Sequence, residues 1–136
     1  MQPQAIALKS SFSDPRRDSR IEWAIDIITR DYRRRINLSE LARTVGLSIS
    51  HFAHLFRREV GVSPARFLRE VRLRHAEQLI RTTALPLNEI LGLAGITERS
   101  HFMRAFKQRN GLSPSRYRAQ YQLPSSEIVM KYQQTG

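Results

Sequence analysis

The sequence contains no cysteine, which excludes disulfides, cysteine-based zinc sites and every thiol mechanism. Long apolar runs are missing too. No stretch approaches the ~18 residues of a membrane-crossing helix, and the opening residues carry no signal-peptide pattern. There is no phosphate-cradling glycine loop, no pair of carboxylates and no nucleophile–base–acid set, so catalysis has no candidate residues. His51 and His54 lie three apart and could share an ion. No third ligand and no acidic residue in the register of a metalloprotease helix accompanies them. No metal and no cofactor is implied. Acidic residues are also scarce, 12 against 23 Lys and Arg, for a net charge of +11.

What is present is present twice. The stretch from His51-Phe52 through Phe56-Arg57 and Gly61 to Ser63-Pro64-Ala65-Arg66 returns as His101-Phe102 through Phe106-Lys107 and Gly111 to Ser113-Pro114-Ser115-Arg116, with seven of sixteen pairs identical. Such a repeat has to be settled before any fold assignment. Phe52, Leu55 and Phe56 fall at i, i+3 and i+4, a buried helical stripe. Gly61 and Gly111 stand where a helix end takes a left-handed residue. Ser63-Pro64 and Ser113-Pro114 supply an N-cap and a first-turn proline to the next helix. Upstream, Leu38-Ser39-Glu40-Leu41 before Gly46-Leu47-Ser48 matches Leu87-Asn88-Glu89-Ile90 before Gly95-Ile96-Thr97, with one extra residue in the second copy. A short helix, a turn at glycine and a helix capped by Ser48 or Thr97 is a helix-turn-helix pattern.

At 136 residues and 40% hydrophobic, the chain makes one ordinary domain or two very small ones sharing a core. Its flanks are balanced in charge, whereas residues 33–120 carry 17 Lys and Arg against 6 Asp and Glu, a difference of 11. A solvated basic surface, or a ribosomal or membrane-surface protein, would also be basic. An excess confined to a paired helix-turn-helix favours nucleic acid.

The expected organisation is a flexible segment over 1–18, a first helix-turn-helix subdomain over 19–63, a linker helix over 64–82, a second subdomain over 83–121 and a tail over 122–136. Ser19-Arg20-Ile21-Glu22 reads as a capping box, opening a helix whose inner face is Ile21, Ile25, Ile28 and Tyr32. Trp23 and Ile27 widen that face, so Trp23 is expected to pack. Arg33-Arg34-Arg35 is a basic connection, read equally as a solvated loop or a phosphate-touching one. Asn37 with Glu40 begins the second helix, with Leu38, Leu41, Ala42 and Val45 inward. The linker helix buries Phe67, Leu68, Val71, Ala76, Leu79 and Ile80, and about seventeen residues make a rod of about 25 Å. His75 on it reads as structural or solvated.

Opposite Phe52 on a helical wheel lie Ser50, His54, Arg57 and Arg58, flanked by Ala53 and His51. The second copy presents Ser100, Arg104, Lys107 and Gln108, flanked by Met103 and His101. Short polar side chains early and basic ones late suit a helix in a major groove, where the first reach base edges and Arg57, Arg58 and Lys107 reach phosphates. Arg104 has the fork to pair with a guanine. A solvated basic face is the plainer reading, but two equivalent faces are harder to explain that way.

These residues resemble the DNA-binding domain of AraC/XylS-type bacterial transcription regulators. The likeness covers about residues 20–120 and rests on Leu38 to Ala42, Gly46 to Ser48, His51-Phe52, Leu55 to Arg57, Gly61 to Pro64 and Arg72-Leu73 with Ala76 and Leu79. The second copy adds Ser100 to Phe102, Arg104 to Lys107, Gly111 to Pro114 and Tyr117-Arg118. The resemblance implies an all-α fold of about seven helices, two helix-turn-helix subdomains joined by a long central helix, with the recognition helices in successive major-groove segments of double-stranded DNA. It also implies base reading by Ser50, Ala53, His54, Arg99, Ser100, His101 and Arg104. Ile96 and Leu91 depart from the family's usual aromatic and alanine, but both are apolar. DNA-repair methyltransferases that use this domain need cysteines, which are absent. Little chain precedes the first expected helix, so the chain resembles the small stand-alone members or a DNA-binding fragment. It is expected to be cytoplasmic and nucleoid-associated, a monomer on DNA if full-length, with RNA polymerase as a candidate partner and no membrane. The competing expectation is a basic architectural or RNA-binding protein without sequence specificity.

Overall fold

The computed structural model describes residues 16–122, and among these there are seven helices and no strand. They are α1 (Ser19–Asp31), α2 (Leu38–Thr44), α3 (Ile49–Val60), α4 (Pro64–Thr82), α5 (Leu87–Ala94), α6 (Arg99–Asn110) and α7 (Pro114–Tyr121). The lead-in expected over 1–18 and the tail over 122–136 lie largely outside the described residues. The chain divides into two compact units, with the break between His75 and Ala76 inside α4.

Local chemistry sets most helix ends. Asn37, Ser48, Ser63 and Ser113 each accept a backbone N–H three residues on, from Glu40, His51, Arg66 and Arg116, satisfying donors that a helix start leaves free. Gly46, Gly61, Gly95 and Gly111 all have positive φ, between 75° and 98°. That is the left-handed region where a side chain is strained, so each turn stops where its glycine stands.

Two caps differ from the expected ones. The α1 cap is Asp18, not Ser19: its carboxylate accepts the Arg20 N–H at 2.9 Å. Asp18 is held there by a contact distant in sequence, its own N–H donating to Glu59 Oε1 at 2.9 Å. The α6 cap is Glu98, not Thr97, and it makes no side-chain cap bond. The extra residue of the second copy sits just here and moves the helix start beyond Thr97.

In the first unit Ile21, Ala24, Ile25 and Ile28 of α1 pack with Leu41, Ala42, Val45, Leu47, Phe52, Leu55, Phe56, Phe67, Leu68 and Val71. Phe56 meets Phe52 and Phe67 edge-on, with centroids 5.7 and 5.5 Å away, the arrangement aromatic quadrupoles favour. Trp23 does not pack as expected and is 50% exposed. The inner stripe of α1 runs through Ile21, Ala24, Ile25 and Ile28, and Trp23 is left at the stripe's edge. Ile27 is only partly buried. In α4, Leu79 is also only partly buried while Leu73 is buried. His75 stacks on Tyr32 with centroids 3.9 Å apart; burial, and then the charge of Arg33, lower its pKa from the usual 6.5.

In the second unit the buried residues include Ile80, Ile90, Leu91, Ala94, Phe102, Phe106 and Tyr117. Leu91 therefore fits the core despite departing from the family pattern, and its carbonyl accepts the Ile96 N–H at 2.8 Å. Tyr117 meets Phe106 edge-on at 5.0 Å and accepts a bond from Arg81 Nη1 at 3.1 Å.

Candidate nucleic-acid interface

The α3 helix is a platform with one greasy side. Phe52, Leu55 and Phe56 face the first-unit core, which fixes the rotation of the helix about its axis. That rotation puts Ser50, Ala53, His54, Arg57 and Arg58 outward, and all five are exposed. Arg57 and Arg58 occupy the last turn, where a cation is favoured by the carbonyl end of the helix.

In α6, Phe102 and Phe106 face inward, and Arg99, Ser100, His101, Arg104 and Lys107 are all exposed. The two faces thus match in position, helix by helix, within their own units. Two side chains depart from a simple outward display. Met103 is partly buried. Arg99 Nη1 donates to Asn88 Oδ1 at 2.6 Å, so its guanidinium is already oriented by α5 before any ligand arrives.

Wheel geometry missed Ile49, which sits only 60° from Phe52 on a 100° wheel yet is 46% exposed. As the first residue of α3 it has no preceding turn to cover it, which is the signal that could have found it. Reading α6 from its sequence also missed its polar anchor. Glu77 of α4 is buried at 7% exposure, accepts Asn110 Nδ2 at 2.8 Å and pairs with Arg109 Nε at 2.9 Å. Asn110 Nδ2 also reaches the Phe106 carbonyl at 3.1 Å. The corresponding end of α3 is held differently: Glu59 accepts the Asp18 N–H, while Arg17 pairs with Glu22 at 2.9 Å and reaches the Glu59 carbonyl at 3.4 Å.

Among the described residues, no group of three His, Cys, Asp or Glu is placed to hold a metal ion, and no helix is long and apolar enough to cross a membrane. What the arrangement offers chemically is hydrogen-bond donors and cations on two helix faces.

The family model of a helix-turn-helix domain matches residues 41–120, from α2 into α7. The lactose operon transcription activator of Staphylococcus xylosus is 33% identical over 70 residues, 52% of this chain and 25% of that protein. The probable transcriptional regulator LumQ of Photobacterium leiognathi is 30% identical over 73 residues, 54% of this chain and 29% of that protein. The chain therefore spans about a quarter of the length of these relatives. Among solved structures, the C-terminal domain of the response regulator AraT from Geobacillus stearothermophilus superposes with a TM-score of 0.71 at 26% identity, covering 77% of this chain and 88% of that one. The DNA-binding domain of AdpA, a global transcriptional factor crystallised with a target DNA, gives 0.65 at 25% identity over 77% and 91%. With the family model matching more than half of its length and seven helices that superpose on such domains, the chain belongs to the AraC/XylS-type helix-turn-helix family of DNA-binding transcription regulators, a family of regulators and not of enzymes.

Proposed function

We propose that the chain is a sequence-specific regulator that places α3 and α6 in successive major-groove segments of double-stranded DNA. The observation that carries this reading is the matched pair of faces: two glycine-turned helices, each with phenylalanines inward and an exposed polar and basic side outward. Ser50, Ala53 and His54 on α3, and Arg99, Ser100, His101 and Arg104 on α6, read bases. Arg57, Arg58 and Lys107 neutralise phosphates. Ala53 is too short to reach a base except at a thymine methyl, and exposed Ile49 suits the same contact. One chain supplies two different reading faces, so one monomer occupies one asymmetric site rather than two chains sharing a palindrome. The regulator acts in the cytoplasm on nucleoid DNA, with RNA polymerase as its partner in transcription.

Competition between a selected duplex and random duplex tests this reading. A regulator discriminates by about a thousandfold or more, whereas an architectural or RNA-binding protein binds both DNAs alike. If about six to eight phosphates are neutralised, log K falls against log salt with a slope of about −5 to −7. Arg104→Ala should cost about 1–3 kcal/mol on the selected site and relax preference at one base, while Lys107→Ala weakens selected and random DNA equally. Equal losses on both DNAs from both variants would overturn the assignment of faces.

A further inference from the structure

We infer that the Arg33-Arg34-Arg35 connection between α1 and α2 is a clamp for phosphodiester groups of the DNA backbone, set apart from the two reading helices and held rigid by Arg72. The inference rests on the DNA-binding reading above and adds a site to it.

All three arginines are exposed, and none has a hydrogen bond or ion pair through its guanidinium among the described residues. Yet the backbone beneath them is fixed. Arg72 Nε donates to the Tyr32 carbonyl and Arg72 Nη2 to the Arg34 carbonyl, both at 2.9 Å. The Arg34 N–H closes a turn on the Asp31 carbonyl, also at 2.9 Å. Tyr32, at the start of the connection, is stacked on His75. Arg72 is partly buried, and loss of solvent lowers its pKa. Three free guanidinium groups thus stand on a fixed backbone with a fourth cation among its supports. Like charges gathered in this way raise the local potential, and an anion relieves their repulsion.

The chain carries its own control. In the second unit an arginine likewise ties down the end of α4 and the connection to α5: Arg118 Nε donates to the Ile80 carbonyl at 3.2 Å and Arg118 Nη2 to the Leu85 carbonyl at 2.7 Å. Gln122 Nε2 adds a bond to the Ile80 carbonyl at 2.9 Å and another to that of Thr83. With Asn37-Leu38 set against Pro86-Leu87, the partners of Arg33, Arg34 and Arg35 are Thr82, Thr83 and Ala84. A pinned connection therefore forms in this chain without any charge on it, so pinning of this kind does not by itself call for the three arginines of the first unit. A guanidinium is a planar fork that matches two phosphate oxygens. The same unit already presents Arg57 and Arg58 outward on α3, so a polyanion is the anion this surface is suited to meet.

The test gives the first unit the second unit's own residues: Arg33→Thr, Arg34→Thr and Arg35→Ala together, in the full chain, with far-UV circular dichroism as the check on folding. With the selected duplex as probe, the slope of log K against log salt should become shallower by about two to three relative to the parent. Affinity should fall alike on selected and random DNA, and the base preference should not change. If the triple variant does not fold, Arg33→Gln and Arg35→Gln made singly should each lower the slope by about one. A steep parental slope with an equally steep variant slope and equal affinity would overturn the clamp while leaving the DNA reading intact. Unchanged DNA binding with loss of reporter transcription would also overturn it and assign the loop to an acidic protein surface. A parental slope near zero would instead remove the DNA reading itself.

Discussion

The two helix-turn-helix units share a backbone plan but not a way of holding the outward helix in place. In the first, α3 buries Phe52, Leu55 and Phe56 and starts at a serine cap. In the second, Ala105 stands where the first copy has Leu55, only Phe102 and Phe106 are buried, and the helix starts at Glu98 without a side-chain cap. A buried leucine contributes about 1.5–3 kcal/mol over leaving it exposed. The second helix forgoes that and has the buried Glu77 gripping Arg109 and Asn110 at its far end. The lesson is that one geometry can be held by apolar area at one site and by a polar clamp at another.

The largest expected effects test what the units have in common. Phe56→Ala and Phe106→Ala should each cost about 3–5 kcal/mol in urea denaturation, as large buried aromatics do. A cost below about 2 kcal/mol for Phe106→Ala alone would mean that α6 is held mainly by its polar clamp.

Removal of that clamp comes next. Glu77→Ala should cost about 2 kcal/mol, below the figure for breaking a fully buried pair, because the Arg109 side chain keeps 28% exposure. In the first unit, Glu59→Ala removes one acceptor of a backbone N–H and should cost about 1 kcal/mol. Equal costs would erase the contrast between the two anchors.

The caps give a smaller and opposite pair. Ser48→Ala should destabilise by about 1 kcal/mol, whereas Glu98→Ser, which adds the missing oxygen acceptor, should stabilise by about 0.5 kcal/mol. Thermal melts of the two variants should move in opposite directions.

Acid titration should show the smallest difference. The Asp18 carboxyl is lowered from 3.8 to about 2, chiefly because the Arg20 side chain and then its backbone N–H donate to it. A folded value below the unfolded one means that the carboxylate adds stability above pH 3.8 and loses it as pH falls through about 2. Asp18→Asn keeps a capping oxygen but not the charge, so its stability should vary less with pH across that window. An unchanged acid limb would show that the Arg20 bonds contribute nothing measurable.

Much of this molecule can be read along the chain because the deciding physics is local. Gly46, Gly61 and Gly111 end their elements through a backbone preference that needs no neighbour. Ser48, Ser63 and Ser113 cap helices through bonds that span three residues. The phenylalanine spacing of α3 and α6 orients both helices, so the outward placement of Ser50, His54, Arg57, Arg104 and Lys107 was available from the pattern alone. The rest required contacts between residues far apart in sequence. Trp23 is exposed because of how α1 sits on its neighbours, and Asp18 rather than Ser19 caps α1 with its N–H held by Glu59. Glu77 reads as one more charge on a long helix until Arg109 and Asn110 close over it. Arg72 and Arg118 resemble the other arginines until each is found pinning a connection 33 to 40 residues away. Helical periodicity and capping are written in the nearest few residues, whereas a polar side chain takes its partner only after tertiary packing has brought the two together.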